Sequence, residues 1–141
     1  MSATVLYTPD VLALAMDLAA YPLASDLPHV AEARSPTCGS QLRLGLDSGP
    51  DERIVRVGIS AQACAIGQAA AAIFAKGAQG QSAAELAQAR GEIRSWLSGE
   101  GAMPGWPGFD TLAAVPDYPG RHGAVLLAWD AAQEALSSLA E

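Results

Sequence analysis

At 141 residues the chain has room for one domain, and residues 1–141 are read as a single one. Half of the residues are hydrophobic and 16% are charged, which excludes a disordered tail, and 30 alanines point to helices and a core of small side chains. Eight basic residues against fifteen acidic ones leave a net charge of −7 without any Lys/Arg cluster, so nucleic acid is excluded as a partner.

Thr8-Pro9-Asp10 is a helix start: a hydroxyl cap, a proline at the first helical position and an acid in the first turn. The helix is expected to run to about Ala20, with Asp10 and Asp17 on its wet face and Leu12, Met16, Ala19 and Leu23 toward the core. The apolar stretch from Val11 to Ala20 lacks a basic lead-in and ends at Tyr21-Pro22 without a cleavage pattern, so it reads as a helix rather than a leader. No run approaches the roughly 18 apolar residues of a membrane span, so no membrane partner is expected and the expected location is the cytoplasm. Ser25 to Pro28 is a connector, and His29 to Arg34 reads as an extended segment.

Gln41 to Asp47 alternates apolar and polar residues, as a strand with one buried and one wet face requires. Asp47-Ser48-Gly49-Pro50-Asp51 is a turn, and Ile54 to Ser60 alternates again with Val55, Val57 and Ile59 inward. With His29–Arg34 these segments predict an α+β fold, a three-stranded antiparallel meander packed on one face by helices. Cys64 to Lys76 reads as a helix stopped by Gly77, and Gln81 to Leu97 as a second one with a capping box from Ser82 to Glu85. Gly99 to Gly120 holds four prolines and five glycines and is expected to be irregular, with one short helix around Asp110 to Val115. A last helix runs from about Arg121 to Ala140.

Two cysteines do not make a disulfide framework, and in a reducing compartment their use is reactivity or metal binding, unless they are simply small buried hydrophobes. Cys38 lies in the connection from the first strand to the second, and Cys64 just past the third. In a meander those places share one end of the sheet, so the two thiols become neighbours across 26 residues of chain. Cys64 also falls at a helix start, where unpaired backbone N–H groups favour a thiolate that acts as nucleophile or soft ligand.

Ser35-Pro36-Thr37-Cys38-Gly39-Ser40, the alternating hairpin, Ala63-Cys64-Ala65-Ile66-Gly67-Gln68-Ala69-Ala70-Ala71 and then Lys76-Gly77 together resemble the U-type iron–sulfur cluster scaffold family of IscU, SufU and the N-terminal part of NifU. Gly/Pro-rich Glu100–Gly120 is similar to the insertion that separates SufU from the shorter IscU. The resemblance implies an assembly protein rather than an enzyme, working as scaffold or sulfur acceptor with a cysteine desulfurase and passing its product to recipient apo-proteins. It implies a transient iron–sulfur cluster or zinc at Cys38 and Cys64, with either thiol a sulfur acceptor. The family's aspartate falls on Ser40 and its third cysteine on Ala124, while Arg121 matches an arginine of SufU-like members and stands as an anion partner.

A closed zinc site commonly wants four ligands and cluster irons want thiolates, so two cysteines fall short. His122 is the nearby third ligand to consider, against a solvent-facing role at the start of the last helix, and Ser40 is a weak one because its hydroxyl is neutral. His29 has no motif context and is expected at the surface. Two further readings stand beside the assembly protein: a degenerate module that docks on assembly factors without chemistry, and an unrelated domain, which would lack the meander.

Overall fold

The computed structural model describes residues 6–36 and 39–137. Helix α1 (Pro9–Asp17) is followed by a short 3-10 turn to Ala20 and a connector. Strands β1 (His29–Arg34), β2 (Gln41–Ser48) and β3 (Ile54–Gln62) come next, then helices α2 (Ala65–Ala78), α3 (Ala83–Leu97) and α4 (His122–Ser137). The sheet is an antiparallel meander in the order β1-β2-β3, the arrangement that the alternating segments predict. Its inner rows, such as Ala31–Leu44–Ile59, face α2 and α4; α1 packs on α2 and α3 on α4.

Several elements differ from the sequence expectation for local physical reasons. In α1 the buried residue is Val11, with Leu14 and Leu18 half-buried behind it, whereas Leu12 and Met16 are exposed, Met16 at 77%. The apolar residues of this helix surround it, so periodicity alone did not choose the face; packing on α2 and the Asp17–Lys76 ion pair at 2.7 Å do. In β3, Asp47 pairs with Arg56 but Ser48 pairs with Ile54, so Val55 is the extra residue of a bulge. The bulge shifts parity by one position, turning Ile54 inward and leaving Val55 exposed.

Gly77 does not stop α2, which continues to Ala78 with Gln79 as its C-cap. It is instead a place of close approach. A Cβ there would lie 2.6 Å from Nε1 of Trp106, whose N–H donates to the Ile73 carbonyl oxygen at 2.9 Å. Trp106 and Phe109, from the irregular segment after α3, thus enter the core. Trp106 stacks on Phe74 at 5.6 Å, Trp129 stands edge-on to both at 5.3 Å, and Phe109 meets Trp96 edge-on. Each such pair contributes about 0.5–1.5 kcal/mol beyond its buried area, so the Gly/Pro-rich stretch is a structural wall rather than a loose loop. The helix expected over Asp110–Val115 is replaced by three 3-10 turns, Phe109–Leu112, Val115–Asp117 and Pro119–Arg121, because Pro116 and Pro119 remove the donors a longer helix needs.

The connector before β1 has a seat that the alternation hides. Gly45 and Gly58, paired across β2 and β3, leave bare backbone on the outer face. Leu23 and Leu27 rest there, and a Cβ on Gly58 would overlap the Pro22 carbonyl oxygen. Tyr21 accepts the Ile59 N–H at 2.8 Å, closing part of the β3 edge. Helix α3 begins as its sequence demands: Ser82 caps the Glu85 N–H, and Glu85 returns a bond to the Ser82 N–H. The predicted residues Ser138 to Ala140 of the last helix lie outside the described residues.

Candidate functional site

The site is set by the last cross-strand row of the sheet, Arg34–Gln41–Gln62. β1 arrives there, β2 leaves, and β3 returns, so residues 35–40 and the exit of β3 lie at one lip. Ser35 and Ser40 close the base of the β1–β2 connection: the Ser35 N–H donates to the Ser40 carbonyl oxygen at 2.8 Å, and the Gly39 N–H donates to that of Ser35 at 3.0 Å. Gly39 has φ of +71°, a conformation that side chains with a Cβ disfavour. Both serines are buried at 3% exposure. Cys38 and Thr37 fall between these anchors and lie outside the described residues.

Two residues past β3, Cys64 is the N-cap of α2, with extended backbone (φ −63°, ψ 169°) and a half-buried side chain that makes no capping bond. Its carbonyl oxygen accepts the Gln68 N–H at 3.0 Å, and Gln68 Nε2 holds the Ala63 carbonyl oxygen at 2.8 Å, so the turn under the thiol is fixed by backbone and amide bonds. The thiol is left to pack against the edge of the core.

Ala124, the position of the implied third cysteine, lies in the first turn of α4 and is buried at 1% exposure. It faces the first turn of α2 across Gly67: a Cβ on Gly67 would lie 3.4 Å from the Ala124 Cβ and 2.8 Å from that of Ala63. Small residues on both helices therefore bring α4 against the turn that carries Cys64. Sequence reasoning passed over Gly67, although a glycine inside an alanine-rich helix is the usual mark of such close approach.

His122 is half-buried, and its Nε2 lies 3.2 Å from the Val115 carbonyl oxygen and 3.1 Å from that of Pro116. Both partners are acceptors, so Nε2 carries the proton and donates. The ring ties the 3-10 turns to α4, and ligation through Nε2 would break that tie. Arg121 donates from Nε to the Tyr7 hydroxyl at 3.2 Å, linking the start of α4 to the segment before α1. His29 is half-buried at the first position of β1. Among the described residues no group of three or more His, Cys, Asp and Glu side chains could hold a metal ion. The described donors, which leave out Cys38, do not by themselves make a closed zinc site, and no helix among those residues is long and apolar enough to cross a membrane.

No protein-family model matches the chain. It is 38% identical over 105 residues, 70% of its own length, to the bifunctional protein NifU/MnmA of Rubrobacter xylanophilus, and it spans about a fifth (21%) of that relative. The crystal structure of a nitrogen-fixing NifU-like protein (N-terminal) from Brucella abortus superposes with a TM-score of 0.86 at 26% identity, covering 96% of this chain and 94% of that one. The chain is similar in fold and in sequence to U-type scaffold proteins. A protein assigned as iron–sulfur cluster assembly scaffold for the SUF system (FiSufU), from Fervidobacterium islandicum AW-1, shares the U-type fold at a TM-score of 0.82 and 20% identity, over 96% of this chain and 99% of that one. The chain carries serine and alanine at positions 40 and 124, where the resemblance implies a carboxylate and a thiol.

Proposed function

We propose that the chain is an iron–sulfur cluster assembly protein that accepts sulfur from a cysteine desulfurase and holds iron and sulfur only transiently, as cargo. The observation that supports this reading most is the strand order, which puts the β1–β2 connection and the β3 exit to the N-cap Cys64 at one end of the sheet, with Ala124 of α4 packed against Gly67 in the first turn of α2. A thiolate of Cys64 attacks the outer sulfur of the desulfurase persulfide; the new S–S bond is made on Cys64, the old one breaks, and the desulfurase cysteine leaves as thiolate. Cys38 is the second acceptor, and Arg121, at the start of α4, is the proposed anion partner. The protein is in this reading a carrier and not an enzyme, as single-domain scaffolds are, and its cytoplasmic setting keeps both thiols reduced.

Because the described donor set is short of a closed metal site, the cargo's remaining ligands come from water, a partner or a second copy. One experiment tests this reading. Anaerobic protein is incubated with a desulfurase, cysteine and ferrous iron, followed by intact-mass and absorption spectroscopy. One-sulfur mass increments that vanish on Cys64→Ser and Cys38→Ser support it, and their absence, together with no iron uptake, defeats it.

The second reading, a module that docks on assembly factors without chemistry, draws on Ser40, Ala124 and the engagement of His122 Nε2 by two carbonyls. Desulfurase binding that is unchanged by Cys38→Ser/Cys64→Ser, without any sulfur transfer to the unmodified chain, favours it.

A further inference from the structure

We propose that the outer face of the sheet, just behind the lip, is a binding site for a single carboxylate group. The row Arg34–Gln41–Gln62 and the row behind it, Glu32–Arg43–Ser60, point away from the helices and line a cavity of about 230 Å³. Arg34 and Arg43 are diagonal neighbours on adjacent strands, a separation that long side chains readily bridge.

Donors outnumber acceptors in this groove. Among the described residues Arg34 has no ion pair, and Arg43 has only Glu32 at 3.7 Å, beyond hydrogen-bonding distance. Gln41 Nε2 donates to Gln62 Oε1 at 2.6 Å, which orients both amides and leaves the Gln62 N–H groups to donate elsewhere. Ser60 adds a hydroxyl. Two guanidinium groups against one carboxylate leave the groove net positive on a chain of net charge −7.

The ligand class follows from geometry: a planar carboxylate presents two coplanar oxygens that match one guanidinium fork and the oriented Gln62 amide beside it. A carboxylate of a small acid and one borne by a polypeptide present the same group. This inference goes beyond the thiol chemistry and stands whether or not the cysteines carry sulfur.

The test is a nitrogen-15 NMR titration of the whole chain with acetate, with inorganic phosphate and with a short glutamate-containing peptide. Acetate is expected to shift the Gln41, Ser60, Gln62 and arginine Nε signals saturably, with a dissociation constant on the order of tens of millimolar, as for solvent-exposed charge pairs. Arg34→Gln is expected to weaken this about fivefold, Arg34→Gln/Arg43→Gln to abolish it, and Arg94→Gln, on the far helix α3, to leave it unchanged. Tighter binding of the peptide than of acetate identifies a polypeptide source, and equal binding a small acid. Unsaturable shifts, shifts that persist in the double variant, or phosphate binding as tight as acetate would overturn the proposal.

Discussion

Replacing Ala124 by cysteine tests whether α4 borders a thiol site, because zinc should then invert the stability order of the variant and the unmodified chain. Ala124 is buried, and its Cβ faces the bare Cα of Gly67 in the first turn of α2, one turn from Cys64. A sulfur added there enters space that Gly67 leaves open, so the overpacking cost falls at the low end, about 1 kcal/mol. In chelator the variant should therefore melt about 4 °C below the unmodified chain. Zinc held by the new thiol together with Cys64 and Cys38 stabilises only the folded state, by about 2.7 kcal/mol when free zinc is a hundredfold above the dissociation constant. The variant should then exceed the unmodified chain by roughly 1–2 kcal/mol in zinc, and the additional change Cys64→Ser should remove the gain. Urea denaturation with and without zinc measures both differences. If zinc does not stabilise Ala124→Cys, or still does after Cys64→Ser, the convergence of α4 on the Cys64 turn is wrong.

Three further outcomes follow from the packing. Gly77→Ala should destabilise the fold by about 2–3 kcal/mol despite a helix-propensity gain of about 1, because the methyl displaces Trp106 from the Ile73 carbonyl and from Phe74; near-ultraviolet circular dichroism should weaken in parallel. Gly58→Ala should push the Pro22–Leu27 connector off the sheet, costing about 2 kcal/mol and speeding exchange of the Ile59 amide, whose partner is the Tyr21 carbonyl. Glu85 is held below the usual carboxylate pKa by its backbone bond to Ser82 and its Arg53 partner, so its ionised form stabilises the fold above the unfolded value of 4.5 and the effect fades as pH falls through the lower folded value. The urea midpoint of the unmodified chain should exceed that of Glu85→Gln by a constant amount at neutral pH, and the gap should close in acid.

The sequence by itself determined the meander, because strict alternation over Gln41–Asp47 and a turn of Gly and Pro leave a single register that buries the leucines. It also determined the α3 capping box and the common lip for the two cysteine-bearing connections, since both are local patterns or consequences of strand order. Where a residue's role depends on what approaches it from elsewhere in the chain, local pattern ran out. Gly77 has the signature of a helix stop and is a seat for Trp106; Val55 alternates inward until the bulge turns it out; the carbonyls of Val115 and Pro116 beside His122 Nε2 are invisible to local pattern. Leu12 and Met16 face solvent because α2 meets the opposite side of α1. Only tertiary packing decides such matters, because burial and hydrogen-bond partners are properties of surfaces brought together, and a helix with apolar residues on every side carries no instruction about which one to hide.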